Sequence, residues 1–225
     1  MVAFSKKSLY ICTFVFFAGL VTAIISRSKA LIAIFAILFV IAIVLMSIVK
    51  IREKYLHPEL HDILAKVIEK FNEHDIKYWV DYGSLLGIIR DGDVIKHDTD
   101  TDICVYPDNP DLEKKIFQII NEMGHPYYLE YNPFSIYIYR IKKRLPGLLG
   151  TIVQPYTDIY GTKLNNNMYE DATGKIPVEL IGKTQKITWN GLQVSVPEKI
   201  HESLVWRYGE NYGTPIIGKE AVSNS

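Results

Sequence analysis

Three aspartates are spaced two residues apart where the chain leads into an apolar run. Asp98, Asp100 and Asp102 precede Ile103 in the segment His-Asp-Thr-Asp-Thr-Asp-Ile. If this segment is extended, the three carboxylates lie on one face, while Ile103 and Val105 point into the core. Carboxylates this close repel one another unless a cation lies among them. Carboxylates, substrate phosphates and water are the ligands that Mg²⁺ prefers, so the segment predicts a metal site that handles phosphate.

Two further features favour this interpretation. Gly83 and Ser84 form a turn at the start of a predicted short helix before the acidic segment, and Asp158 lies on a later predicted strand, where it could be a third metal carboxylate. An EF-hand calcium loop is excluded, because the positions that require glycine and glutamate hold Ile103 and Asn109. A sugar-nucleotide glycosyltransferase also uses an Asp-x-Asp motif. It normally has a full nucleotide-binding half before that motif, for which the chain has little room.

Composition limits the class of protein. The 225 residues include 25 basic and 25 acidic side chains, so there is no net formal charge and no basic stripe of the kind that binds nucleic acid. The part that follows the apolar leader is long enough for one compact domain with its own core. Cys12 lies in the leader and Cys104 on the predicted metal strand, so neither a disulfide framework nor a zinc site is expected.

The first fifty or so residues are almost wholly apolar and predict a membrane anchor over residues 1–54. Two apolar runs, residues 9–25 and 30–49, are separated by a short basic break. At about 1.5 Å per residue the second run extends about 30 Å, the thickness of a hydrocarbon core, and the first is shorter. The runs could form a helical hairpin, the first could be a cleaved signal peptide, or only the second could span. The membrane side stays open, because the basic flanks favour opposite sides for one span and for two.

Residues 55–217 predict one domain of the α/β (α+β) class, with a mixed sheet flanked by helices. Apolar residues at positions i, i+3 and i+4 predict an amphipathic helix over residues 58–74, with Pro58 in its first turn. Asn190-Gly191 predicts a hairpin turn, and residues 218–225 a frayed tail. The other predicted elements are strands at residues 77–81, 101–106, 127–131, 134–141 and 151–160, helices at 84–90, 111–123 and 197–208, and a basic loop at 142–150.

The combined motif resembles the LicD and fukutin-related group of the nucleotidyltransferase superfamily. That group has the pattern Gly-Ser/Thr-Leu-Leu-Gly-x-x-Arg followed by Asp-x-Asp-x-Asp, which residues 83–90 and 98–102 match. The segment Asp-Ile-Tyr that begins at Asp158 resembles the group's later Asp-Ile-Phe, and residues 196–215 resemble its closing signature. The resemblance covers about residues 56–215 and implies a nucleotidyltransferase-like fold.

The resemblance implies transfer of a phosphoryl-alcohol unit, such as phosphocholine or ribitol phosphate, from a CDP-activated donor to a glycan or glycolipid. Asp100 and Asp102 would hold Mg²⁺ or Mn²⁺. Asp158 would complete the metal cage or help to deprotonate the acceptor hydroxyl. Asp98 would be a further ligand or the base that receives the acceptor proton.

Donor phosphates would meet positive groups on the predicted short helix. Backbone N–H groups of Gly83 and Ser84 at its start would bind the phosphates, and Arg90 would offset charge on the transferred phosphoryl group. The alternative for Arg90 is an ion pair with Asp91 or Asp93.

The sequence therefore predicts a membrane-anchored, Mg²⁺-dependent transferase that acts at a lipid bilayer on a CDP-activated donor and a glycan or glycolipid acceptor. Two alternatives remain. One is a nucleotidyltransferase that moves a nucleoside monophosphate, and the other is a catalytically inactive, membrane-tethered binding protein. A nucleic-acid enzyme is disfavoured by the neutral charge and the apolar leader.

Overall fold

The structure is a computed structural model that describes residues 6–25, 29–131 and 138–215. The chain divides into two compact units, Met1–Lys54 and Tyr55–Ser225, and each is described by itself. The predicted tail at 218–225 and residues 134–137 of a predicted strand lie outside the described residues.

The first unit consists of helix α1 (Lys6–Ile25) and the beginning of helix α2 (Lys29–Glu73). The two helices pack antiparallel. The Thr13 hydroxyl donates a hydrogen bond of 3.4 Å to Met46 Sδ, and a Cβ at Gly19 would lie only 2.3 Å from the ring of Phe35. Glycine therefore permits this close approach of the helices.

Helix α2 is a candidate membrane span by length and composition, because it contains a long window of mean hydropathy 3.3. Helix α1 contains a shorter apolar stretch, Thr13–Thr22. An apolar helix near an N-terminus is also typical of a signal sequence.

The prediction that a separate helix begins at Pro58 is wrong. Helix α2 continues through Pro58 to Glu73, although proline supplies no N–H for the helical hydrogen bond to residue 54. The helix persists because its inner face is held by packing on both sides of the proline. Leu56 and Leu60 are 4% and 0% exposed, and both belong to the main hydrophobic core.

The second unit contains a five-stranded mixed sheet with the strand order β1-β2-β5-β4-β3. Strands β2 and β5 are parallel, and the other neighbours are antiparallel. The predicted α/β class with a mixed sheet and flanking helices is confirmed. The strands are β1 (Tyr78–Val80), β2 (Thr101–Val105), β3 (Tyr127–Tyr131), β4 (Ile138–Lys143) and β5 (Tyr156–Gly161).

One face of this sheet is apolar and belongs to the same core cluster as α2. Ile103 and Val105 are fully buried in that core, as predicted, together with Ile141 and Ile159. Because side chains alternate along a strand, Asp102 on β2 points to the opposite face. The sheet thus separates the main hydrophobic core from a face that holds the polar site and a smaller apolar cluster.

The remaining elements cover the edges of this framework. The Asn190-Gly191 hairpin is confirmed, and both turn residues have positive φ (49° and 80°), as a type I′ turn requires. Sequence analysis missed a small three-stranded sheet, because its strands are short and largely polar. The three strands of that sheet are β6 (Lys163–Asn165), β7 (Met168–Glu170) and β8 (Lys175–Pro177), and the hairpin is formed by β9 (Gln185–Trp189) and β10 (Leu192–Val196). The helices are α3 (Tyr82–Arg90), α4 (Leu112–Met123), α5 (Leu149–Ile152), α6 (Val178–Ile181) and α7 (Ile200–Tyr208).

Two predicted elements between β4 and β5 are wrong. Residues 151–160 do not form one strand, since α5 ends at Ile152 and β5 begins only at Tyr156. The predicted basic loop at 142–150 begins too early, because Lys142 and Lys143 are the last residues of β4. Ion pairs hold both lysines on the strand. Their acidic partners are Glu130 for Lys142, and Glu59 and Asp62 for Lys143.

Candidate metal centre

Three carboxylates converge near the start of two parallel strands. Asp102 is the second residue of β2, Asp158 lies opposite it on β5, and Asp100 immediately precedes β2. One oxygen from each lies within 4.8 Å of those of the other two. Because β2 and β5 are parallel and in register, residues distant in sequence reach one place. Asp102 and Asp158 are almost fully buried, and Asp100 is partly exposed.

Burial and mutual repulsion both disfavour negative charge on this cluster. Burial raises the pKa of Asp100, and the nearby Asp158 raises it further. Burial raises the pKa of Asp102 well above its usual value, with repulsion from Asp100 and Asp98 adding to the effect. A divalent cation would relieve this repulsion, and hard oxygen ligands suit Mg²⁺ or Mn²⁺. The donor set therefore fits a divalent metal ion.

Asp98 lies beside the three clustered carboxylates and outside their group. The strand predicted at residues 101–106 is confirmed as β2, which begins at Thr101, so Asp98 lies three residues before it. The Asp98 side chain accepts a hydrogen bond of 2.9 Å from the Thr99 N–H. Its Oδ2 would lie 2.6 Å from a Cβ added at Gly83. Glycine at position 83 therefore lets the first turn of α3 approach this carboxylate.

The start of α3 is fixed to β2 by the predicted Gly-Ser pair. The Ser84 hydroxyl is buried and accepts a hydrogen bond of 2.7 Å from the Asp102 N–H. Tyr82 adopts a φ of 50°, which is rare for a bulky residue. Its N–H donates a hydrogen bond of 2.7 Å to the capping side chain of Asp81. Phosphate binding by the N–H groups of Gly83 and Ser84 stays a prediction.

Arg90 lies at the opposite end of α3, about two turns or roughly 10 Å along the helix from Gly83. Its guanidinium makes two hydrogen bonds of 2.8 Å to the carboxylate of Asp91. The alternative ion pair considered from the sequence is therefore formed with Asp91. A contact of Arg90 with substrate stays a prediction.

Sequence analysis missed Arg140, which lies directly beside the metal candidate. Arg140 on β4 stands opposite Asp158 on β5. Its Nε and Nη2 donate hydrogen bonds of 2.6 and 2.8 Å to the two oxygens of that carboxylate. Tyr156 covers the guanidinium, with 4.0 Å from Cζ to the ring centroid. The Tyr156 hydroxyl donates a hydrogen bond of 3.0 Å to Asp100 Oδ2.

Charged side chains at matching positions form a row across four strands. Asp102 on β2 faces Asp158 on β5, which faces Arg140 on β4, which faces Glu130 on β3. The only available signal in the sequence was the alternation of basic residues at positions 140, 142 and 144. It places Arg140 and Lys142 on one face of a strand but does not identify the strand that pairs with it.

A second aspartate–arginine pair supports the first turn of α3. Asp81 is fully buried, and its carboxylate accepts hydrogen bonds of 3.2 and 2.7 Å from Nε and Nη2 of Arg207 on α7. Trp79 Nε1 donates another at 2.9 Å. The Arg207 guanidinium also lies over the Tyr82 ring at 4.0 Å. This network, which the sequence motifs did not indicate, helps to hold Tyr82 in its unusual conformation.

Fold and site together define an α/β domain with a candidate divalent-metal centre. The model of the LicD/FKTN/FKRP family, nucleotidyltransferase domain, matches residues 75–199, which is more than half of the chain. The chain belongs to this family, and the resemblance stated from the motifs is confirmed. The matched range contains all four aspartates of the predicted site, and membership supports a transferase of the LicD kind.

Two solved structures of the antibiotic-resistance factor ANT(2'')-Ia resemble the chain at low similarity. A crystal structure with adenylyl-2''-tobramycin has 14% identity and a TM-score of 0.42, covering 64% of this chain and 71% of that one. A solution structure has 13% identity and a TM-score of 0.44, covering 67% and 70%. No curated protein matches the chain in sequence.

Proposed function

We propose that the protein is a membrane-anchored, Mg²⁺-dependent transferase of the LicD kind. It moves a phosphoryl-alcohol unit, of the phosphocholine or ribitol phosphate type, from a CDP-activated donor to a glycan or glycolipid. The observation that carries the proposal is the buried cluster of Asp100, Asp102 and Asp158 within a domain of this family. Clustered carboxylates suit a divalent ion that is shared with donor phosphates.

The carboxylates have separate tasks in this proposal. Asp100, Asp102 and Asp158 hold Mg²⁺ or Mn²⁺, and the bound ion would polarise the phosphoryl oxygens and offset their charge. Asp98, which lies next to the cluster, receives the proton of the acceptor hydroxyl. Asp158 suits this proton transfer less well, because both of its oxygens accept hydrogen bonds from Arg140.

The reaction releases CMP. The acceptor hydroxyl oxygen bonds to the phosphorus that carries the alcohol, and the bond from that phosphorus to the bridging oxygen breaks. CMP leaves with the bridging oxygen, while the hydroxyl proton passes to Asp98. The N–H groups of Gly83 and Ser84 hold donor phosphates at the start of α3. Arg90, at the other end of α3, contacts a different part of the donor.

Membrane attachment is also part of the proposal. Residues 1–54 form the anchor and residues 55–217 the catalytic domain. The apolar window of α2 supports this assignment. A membrane anchor would keep the domain at the surface where a glycolipid acceptor is found.

Calorimetry on the full chain in detergent micelles tests the proposal. CDP-ribitol, CDP-choline, CTP and a UDP-sugar are titrated with and without Mg²⁺. The matched variants are Asp100→Asn, which alters the cluster, and Asp108→Asn, which alters an exposed aspartate paired with Lys77. We expect Mg²⁺-dependent binding of one CDP-alcohol that Asp100→Asn abolishes and Asp108→Asn retains.

Other outcomes would replace the proposal with a named alternative. Transfer of labelled nucleoside monophosphate from CTP would identify a nucleotidyltransferase. Preference for the UDP-sugar would identify a glycosyltransferase. Binding of none of these compounds would favour the inactive, membrane-tethered binding protein.

A further inference from the structure

Toward the described residues, the Arg140 guanidinium uses only one of its two donor edges. Nε and Nη2 face Asp158, and both hydrogen bonds are short. A guanidinium has five N–H groups in a fixed plane, so three remain on the edge formed by Nη1 and the far side of Nη2. Among the described residues no side chain or carbonyl accepts a hydrogen bond from that outer edge.

The outer edge is within reach of a ligand. The Arg140 side chain is 24% exposed, whereas its partner Asp158 is 5% exposed. The ring of Tyr156 covers one face of the guanidinium and limits its movement. The same tyrosine is hydrogen-bonded to Asp100, so its own position is tied to the metal candidate. Arg140 is thus a fixed cation at the boundary between the carboxylate cluster and solvent.

The charge of the site calls for a further anion-binding group. Three carboxylates and one guanidinium carry a formal charge of −2, which one divalent ion would neutralise. The oxygens of a bound diphosphate would then need hydrogen-bond donors beside the carboxylates. The start of α3 approaches the cluster beside Asp98 and Asp102, and Arg140 adjoins the same cluster at Asp158. Two groups that attract anions therefore flank the carboxylates.

We propose that Arg140 binds a phosphate oxygen of the diphosphate substrate through its outer edge while its inner edge holds Asp158. The inference rests on the proposed function and adds to it a residue that contacts the donor's diphosphate. Planar guanidinium groups bind phosphate with two parallel hydrogen bonds. Because Asp158 and Tyr156 already fix the guanidinium, little side-chain entropy is lost when phosphate binds.

The test uses inorganic pyrophosphate as the probe, so it does not depend on which nucleotide or alcohol the donor carries. Its dissociation constant is measured by calorimetry at saturating Mg²⁺ for the full chain in detergent. Mn²⁺ binding without pyrophosphate is measured separately by electron paramagnetic resonance. The variants are Arg140→Gln and Arg140→Lys. The matched control is Lys142→Gln. Lys142 lies on the same face of β4 as Arg140 and forms an ion pair with Glu130.

We expect Arg140→Gln to weaken pyrophosphate binding about 10–100-fold, the range for loss of a charge-assisted contact. Its affinity for Mn²⁺ should stay equal or increase, because a positive charge next to Asp158 has been removed. Lys142→Gln should change pyrophosphate binding less than about 3-fold. Arg140→Lys keeps a cation near Asp158 without the planar fork, so it should still weaken pyrophosphate binding. This variant decides the question if circular dichroism shows that Arg140→Gln does not fold.

The proposal is wrong if pyrophosphate binding in both Arg140 variants stays within about 3-fold of the parent. It is also wrong if Lys142→Gln weakens pyrophosphate binding as much as Arg140→Gln does. The loss would then reflect the positive charge of the whole face and not a direct contact with Arg140. A parallel loss of Mn²⁺ and pyrophosphate binding would show that Arg140 acts only by holding Asp158 in place and does not contact phosphate. Failure of all CDP-alcohols to bind, with Arg140-dependent pyrophosphate binding retained, would overturn the proposed function and leave this inference standing.

Discussion

Two aspartate–arginine pairs in the second unit use the same hydrogen-bond geometry in different surroundings. Arg207 and Asp81 have side chains only 2% and 0% exposed, whereas Arg140 and Asp158 are 24% and 5% exposed. Asp81 also accepts hydrogen bonds from Trp79 Nε1 and the Tyr82 N–H. Among the described residues, the side-chain carboxylate of Asp158 has Arg140 as its one hydrogen-bond partner. We call Arg207–Asp81 the closed pair, because it is buried within the protein. We call Arg140–Asp158 the open pair, because it borders solvent, and the open pair with Asp100 and Asp102 the open site.

The comparison separates groups that support the fold from groups that serve the site. In the closed pair the negative charge of Asp81 is matched by a cation and by neutral donors, so its burial needs no ligand. Around the open pair, Asp100 and Asp102 add two carboxylates that Arg140 alone does not neutralise. Proteins keep such uncompensated charge mainly where a ligand completes the site. The substitutions below should therefore affect stability at one pair and function at the other.

The largest effect should follow loss of a charge at the open site. Asp102→Asn should lower the turnover of the transfer reaction by about 10³-fold or more, since a metal ion stabilises the transition state by several kcal/mol. Product formation from the CDP-alcohol found by calorimetry is the measurement, with far-UV circular dichroism to check the fold. The exposed Asp108→Asn is the control. Turnover equal to that of the parent would end the assignment of Asp102 to the metal centre.

The next largest effect should follow disruption of the closed pair. Arg207→Met leaves the buried carboxylate of Asp81 without its cation, which should lower the free energy of unfolding by about 3–5 kcal/mol. Urea denaturation of the full chain in micelles measures it. The exposed pair Lys77–Asp108 provides the control, and Lys77→Met should cost less than about 1 kcal/mol. Similar losses of stability in both variants would show that burial of the Arg207–Asp81 pair does not make it more important than an exposed ion pair.

The parts of this arrangement that sequence could predict are the local ones. Asp100 and Asp102 are two residues apart, and Gly83-Ser84 stands at a helix start, so spacing alone indicated them. Asp158 was found by its position on a later strand. Arg140 was missed because its role depends on the register between β4 and β5, which no local pattern specifies.

The errors in the predicted fold have the same origin. Pro58 was expected to start a helix, as its intrinsic preference suggests, but burial of Leu56 and Leu60 keeps α2 continuous across it. The lysines at the end of β4 were assigned to the basic, Gly/Pro-rich loop that follows. They stay on the strand because acidic partners on β3 and α2 neutralise them. In each case a tertiary contact outweighed a local preference.

In the absence of metal, a substitution in the open site should raise the stability of the fold, by less than Arg207→Met lowers it. The folded protein binds a proton at Asp102 more readily than the unfolded chain does, because burial and like charges raise this pKa. The group therefore destabilises the fold at neutral pH. This cost fades as the pH falls through the raised pKa toward the ordinary value of about 3.9.

Asp102→Asn removes that cost permanently. Without divalent ions, the variant should be more stable than the parent by about 1–3 kcal/mol at pH 7. The difference should shrink on acidification and should reverse when Mg²⁺ is added. Thermal unfolding at several pH values, with EDTA or Mg²⁺, gives the comparison. A variant less stable than the parent in EDTA would show that the carboxylate cluster is not strained.

The smallest effect should come from Tyr156, which joins the open pair to the cluster. Tyr156→Phe keeps a ring against Arg140 but removes the hydrogen bond to Asp100. That hydrogen bond favours the charged carboxylate and opposes the rise in its pKa, so its loss should raise the pKa of Asp100 further. Mn²⁺ must then compete with a more tightly held proton. Its affinity should fall by about 10-fold or less at pH 7 and by more at lower pH.

Paramagnetic resonance titration of Mn²⁺ at several pH values measures this change. Tyr128→Phe is the matched control, because its ring lies beside Arg144 and its hydroxyl is not hydrogen-bonded to Asp100. If Tyr156→Phe binds Mn²⁺ as tightly as the parent at every pH, the tyrosine acts through the packing of its ring alone. If the ratio widens on acidification, its hydroxyl controls how readily Asp100 gives up a proton to bind metal. The open site would then depend on a neutral donor as well as on the Arg140 cation.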